Sequence, residues 1–231
     1  MRYTLPNPPS GSSNCPRHRV EAALPTRPAY TTHLHHMNVD ALSSRLISKL
    51  GPDRYLVVAL DGPGGAGKST IARKLSERCN LLSIVRGDDF YAPMEEQARL
   101  ALSPECGYRR YFDWLRMRRE LLEPVSRGDR ALYQRYDWGM NQLVEWIDQP
   151  AEGIILIDGV YSFRPELREF YGYSIFVETP KAECLARLVQ RGENTEAWIR
   201  RWRAAEDYYL THFDPARAVS VVVSGTGTAA A

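Results

Sequence analysis

The sequence predicts an α/β domain of three layers on a mostly parallel sheet, and three observations predict it. First, short apolar runs recur: "RYLVVALD" at 54–61, "LLSIV" at 81–85, "GIILID" at 153–158, "YSIFVE" at 173–178 and "AVSVVV" at 218–223. Such runs are too short for helices and apolar on successive residues, as strands buried on both faces are. Second, segments of helical spacing separate the runs, and strands alternating with helices need crossover connections, which leave neighbouring strands parallel. Third, a glycine-rich turn joins the first run directly to a helical segment.

The elements follow in order. Residues 1–36 hold six prolines within the first thirty positions, several serines and no apolar stretch that would make a secretory signal. They read as a disordered extension ahead of a domain at 37–231. The histidines of "HLHH" at 33–36 belong to that tail and ligate no metal on this reading. From Asp40, taken as N-cap, Leu42, Leu46, Ile47 and Leu50 share a helical face, and Gly51-Pro52 ends the helix. Helical spacing returns after the glycine turn in "KSTIARKLSERC", through Ile71 and Leu75. Residues 91–149 are more polar and aromatic, with a helix over 113–127 and a short strand near "ALYQRY", and read as an acceptor-binding insertion above the sheet's carboxyl edge. Residues 185–210 read as a lid. In "AWIRRWRAAEDYYL", Trp198 and Trp202 stand four apart, a helix packing its aromatics on the body, while Arg200, Arg201 and Arg203 are divided between lid charges and solvated surface.

Composition narrows the class. A net charge of +2 on 30 basic and 28 acidic residues gives no broad basic face, so nucleic acid and membrane surfaces are not expected partners. The arginines and aromatics of "YRRYFDWLRMRRE" suit a helix above an anionic small molecule as well as they suit RNA. Four widely spaced cysteines form no C-x-x-C pair, which argues against a zinc site or a disulfide framework and fits reduced thiols in a cytoplasm. No run approaches the ~20 apolar residues of a membrane helix.

Gly62-Pro63-Gly64-Gly65-Ala66-Gly67-Lys68-Ser69 matches G-x-x-x-x-G-K-[ST], with Thr70 opening the helix behind it. Glycines let successive amides turn inward onto phosphate oxygens that any Cβ would hold off, and the helix N-terminus adds its dipole. Lys68 then reaches the β- and γ-phosphates, and the Ser69 hydroxyl binds Mg²⁺. Asp158 closes the "IILID" run and is placed as a second magnesium ligand. Asp88 and Asp89 follow the second predicted strand and emerge at the same edge, where an aspartate can take the proton of an attacking hydroxyl. The elements expected of a guanine-reading switch, a helicase or a transporter are missing from the sequence.

These residues resemble the uridine kinase and phosphoribulokinase family of P-loop kinases over roughly 54–224. The resemblance is carried by the glycine loop, D-x-F-Y at Asp88, Phe90 and Tyr91, Phe112-Asp113, Tyr136-Asp137-Trp138, Asp158-Gly159 and "LARLVQRG". It implies ATP as phosphoryl donor and a small hydroxylated acceptor, with Asp88 as base and Asp89, Tyr91, Asp113 and Tyr136 around the acceptor. Arg187 and Arg191 would close over the phosphates. Four positions depart from the family: Asn141 stands where uridine kinases read the pyrimidine with histidine, Leu188 replaces a lid arginine, Gly192 replaces its aspartate, and Asp158 ends its strand where uridine kinases have glutamate. Uridine, nicotinamide riboside, pantothenate and other metabolites therefore stay open as acceptors.

Overall fold

The computed structural model describes residues 38–51 and 55–226. The extension at 1–36 lies outside the described residues, as does Pro52. A first helix, α1 (Val39–Lys49), leads into β1 (Tyr55–Asp61), the glycine loop and α2 (Lys68–Ser76). β2 (Leu82–Arg86) ends in a 3₁₀ turn at Gly87–Phe90. Two short helices follow, α3 (Glu96–Leu100) and α4 (Pro104–Arg110). The helix predicted over 113–127 is a continuous run in which α5 (Trp114–Arg116) passes through a π-helical stretch at Met117–Leu122 into α6 (Glu123–Ser126). β3 (Ala131–Asp137) and β4 (Gln142–Gln149) form an antiparallel hairpin. β5 (Gly153–Asp158), β6 (Tyr173–Glu178), α7 (Lys181–Arg191), α8 (Glu196–Phe213), α9 (Pro215–Ala218) and β7 (Val221–Ser224) complete the chain.

The five long-range strands make one sheet in the order β2-β5-β1-β6-β7, parallel throughout. Strand periodicity explains why the apolar runs are continuous. Leu56, Val58 and Leu60 of β1, with Ile154 and Leu156 of β5, pack beneath α1 and α2 on Leu42, Leu46, Ile71 and Leu75. The alternate residues Val57, Ile155 and Ile157 face the other way, onto Met117, Leu121, Leu122 and Tyr133. Both faces are covered, which is the three-layer arrangement the sequence predicts.

Three local expectations are corrected. Asn38, not Asp40, caps α1: its side chain accepts from the Ala41 amide at 2.8 Å, while Asp40 bonds Arg78. Ile47 is 45 % exposed, because α1 shows only a narrow stripe to the sheet. The last strand begins at Val221, since Pro215 pre-sets a turn of helix through Ala218. Among the described residues Cys79, Cys106 and Cys184 are free and buried, and no helix is long and apolar enough to cross a membrane.

Candidate active site

The glycine loop leaves β1 at the carboxyl edge of the sheet and wraps onto the N-terminus of α2. Gly65 (φ 80°) and Gly67 (φ 98°) take left-handed conformations, and a Cβ on Gly65 would drive into the Cys184 carbonyl. Lys68 is buried and donates from Nζ to the Gly62 and Pro63 carbonyls at 2.8 and 3.0 Å, so the ammonium is held over the loop. Ser69 is exposed at the first turn of α2, with Thr70 beside it half-buried. The Gly64 amide donates to Glu206 Oε1 at 3.0 Å.

Beneath the loop lies a residue that the sequence reading passed over. Asp61 ends β1 with no solvent exposure, and its carboxylate accepts from the Gly62 amide at 2.6 Å, the Tyr161 amide at 3.1 Å, the Phe163 amide at 2.9 Å and the Tyr209 hydroxyl at 2.7 Å. Burial pushes its carboxyl up and those donors pull against it. It thereby pins the 159–164 segment, in which Tyr161 sits at a left-handed φ of 65°. The one signal in the sequence was an acid at the end of an otherwise apolar run.

Parallel pairing sets the acidic side of the site. Arg86 of β2 and Leu60 of β1 are both in register with Asp158 of β5, so the residues just beyond β2, the end of β5 and the glycine loop share one edge. Asp88 is reached by solvent from the cleft yet stands in a recess of protein atoms. That burial raises its carboxyl, Lys68 opposes the rise, and Asp158 and Asp89 add to it. Asp89 is turned away: Tyr133 donates to its carboxylate at 3.4 Å and Arg116 to its carbonyl at 2.7 Å. Ser69 and Asp158 supply hard oxygen donors beside the loop, a set suited to Mg²⁺, which takes one or two carboxylates and completes its shell with phosphate oxygens and water. Among the described residues no cluster of three or more His, Cys, Asp or Glu forms a metal site made by protein alone.

The other candidates have divided roles. Tyr91 is fully buried in an aromatic cluster, with Tyr136 at 5.1 Å and Trp138 at 4.2 Å between ring centres. Asp113 Oδ1 caps α5 by accepting from the Arg116 amide at 2.9 Å. Asn141, in the left-handed region at φ 51°, accepts from Tyr136 at 2.8 Å and Arg99 at 3.1 Å and donates to the Met94 carbonyl at 3.1 Å. Its amide ties the hairpin to the 92–95 loop, and asparagine tolerates that backbone better than most residues. Arg187 donates to the Gly65 carbonyl at 3.1 Å and the Gly225 carbonyl at 3.0 Å, and pairs with Glu183. It clasps the loop from behind, while Arg191 is exposed on the last turn of α7. Beside Asp158, Gly87, Phe112, Trp114 and Val160 line a small recess with Tyr161, Ser162 and Arg164. The Tyr161 hydroxyl, the Ser162 hydroxyl and Arg164 Nη1 are buried without a hydrogen-bond partner among the described residues.

A glycine cradle at the carboxyl end of a parallel sheet, with lysine inside it and carboxylates on the adjoining strands, defines a P-loop nucleotide-binding protein of the α/β/α class. The family model described as an AAA domain matches residues 58–208, and the chain belongs to that family. The chain is 27 % identical over 160 residues to the uridine kinase of Ureaplasma parvum serovar 3, covering 64 % of this chain and 77 % of that one. It is 26 % identical over 165 residues to the 2-phosphoglycerate kinase of Pyrococcus furiosus, covering 69 % and 51 %. Its fold is similar to the solved "Possible Uridine Kinase from Bacillus stearothermophilus", with a TM-score of 0.63, 21 % identity and coverage of 80 % and 96 %. The relatives and the family model support a P-loop kinase, and the chain is similar to the uridine kinases, as the motifs suggest.

Proposed function

We propose that the chain transfers the γ-phosphoryl group of ATP to a hydroxyl of a small molecule, a nucleoside first among the candidates. The observation that supports this most is the convergence of Asp88 and Asp158 from neighbouring strands on the edge that carries Lys68. The loop amides and Lys68 hold and offset the triphosphate charge. Ser69 and Asp158 would hold Mg²⁺, which would neutralise phosphate charge there. Asp88, its carboxyl raised by burial, would accept the acceptor's proton as the alcohol oxygen attacks phosphorus. Tyr91, Tyr136 and Phe112, buried on one another, would support the acceptor site from behind rather than touch the acceptor. The unpartnered hydroxyls of Tyr161 and Ser162 and the Arg164 Nη1 beside Asp158 offer donors for its polar end. The names of the relatives, a uridine kinase and a 2-phosphoglycerate kinase among them, support trying both nucleosides and hydroxy acids as acceptors.

The test is incubation with Mg-ATP and a panel of nucleosides, vitamins and hydroxy acids, followed by mass spectrometry. One panel member should gain a single phosphate, and ATP loss should depend on that member. Slow hydrolysis indifferent to the whole panel would instead mark a nucleotide switch.

A further inference from the structure

Glu206 is 2 % exposed on the inner face of α8, and the proposed transfer does not use it. Its Oε1 sits against the glycine loop: it accepts from the Gly64 amide at 3.0 Å, and a Cβ on Gly64 would stand 2.9 Å from it. Lys68 acts on the Glu206 carboxylate most strongly among the cations, with Arg203 after it, and both oppose the rise that burial imposes. Arg203 lies three residues earlier on the same helix, with Nη1 buried and without a hydrogen-bond partner among the described residues. Arg203, Lys68 and Arg187 also all bear on Cys184, whose carbonyl abuts Gly65. Three cations therefore border the loop, and one buried carboxylate holds a loop amide between them.

To an amide and an ammonium, a carboxylate oxygen and a phosphate oxygen are the same kind of acceptor. Two anions cannot share one amide without repelling each other. We propose that Glu206 is the resident anion of the cradle, a positioning residue that holds the Gly64 amide and balances Lys68, yields that amide to a phosphoryl oxygen of the nucleotide, and leaves Arg203 to contact the same phosphate. This rests on the kinase reading of the loop. It adds two residues of α8 to the phosphate-handling set and makes α8 part of donor binding.

Calorimetric titration with Mg-ATP and with inorganic tripolyphosphate, which carries no base, tests it at about pH 8, well above the ordinary glutamate range. Glu206→Gln keeps the acceptor oxygen and removes the charge, and should tighten both ligands about tenfold; Arg203→Gln should weaken both about tenfold. Glu206→Asp, which keeps the charge, separates release of the held amide from a general charge effect. Unchanged or weaker binding by a Glu206→Gln protein of normal thermal midpoint overturns the inference, and so does Arg203→Gln with both affinities intact. If Glu206→Gln fails to fold, Glu206→Asp, which withdraws the carboxylate by one methylene, should also tighten both ligands, and equal or weaker binding there counts against the proposal. Wild-type protein that binds neither ligand overturns the kinase reading as well; wild-type binding with no tightening overturns this inference alone.

Discussion

Asp88 and Asp61 are both aspartates at strand ends, yet their surroundings give them opposite work. Asp88 faces the cleft beside Lys68, whereas Asp61 spends its carboxylate on four donors within the protein. Asp88→Asn keeps the shape and removes the proposed base, so turnover should fall by about 10²–10⁴ with nucleotide affinity retained. A steady-state assay paired with ATP titration checks this, and an undiminished rate would transfer the role to Asp89. Asp61→Ala leaves three amides and a tyrosine hydroxyl without their acceptor at about 1–3 kcal/mol each, so a loss of at least about 3 kcal/mol is expected in urea unfolding. Asp88 was legible because it belongs to a local motif. Asp61 and Glu206 were not: their partners Tyr209 and Gly64 are 148 and 142 positions away, and no spacing rule reaches that far.

At the level of elements, the loop and α8 depend on each other. Gly65→Ala would strike the Cys184 carbonyl and lose the left-handed turn, so nucleotide binding should collapse while the circular dichroism spectrum is kept. Trp202 stacks between Tyr111 at 4.8 Å and Trp198 at 5.0 Å and fastens α8 to the aromatic cluster. Trp202→Ala should cost about 3–5 kcal/mol, visible as a lowered thermal midpoint. The segment from 185 to 210, read as a lid, is in its second half a packed helix, with Ile199, Trp202, Ala205 and Tyr209 buried. The packing role of the Trp198–Trp202 pair was legible from four-residue spacing. β4 was not, because its exposed Glu145, Trp146 and Asp148 blur any alternation and the hairpin borrows its stability from the helical run beneath it.

Across the whole molecule, buried charge ties stability to pH. Arg164 is 1 % exposed, stacked over Tyr108 and Trp114, and donates twice to Glu166. Burial alone would raise the Glu166 carboxyl, but these bonds hold it below its usual range. The stability it contributes is present above the unfolded-state value, about 4.3, and is lost as pH falls through the lower folded value. Glu166→Gln should cost about 3–5 kcal/mol near neutrality by leaving Arg164 poorly paired. The gap between wild type and variant should then close as urea midpoints are followed below about pH 4. The sequence by itself determined the sheet, its parallel sense, the glycine cradle and the acids beside it, because these follow from residues adjacent in the chain or from strand and helix periodicity. Only the tertiary structure decided that Asn141 is spent on a tie, that Arg187 bonds the Gly65 carbonyl, and that Glu206 holds the Gly64 amide. Those roles depend on which distant backbone groups are brought within hydrogen-bond reach, and the folded packing alone fixes that.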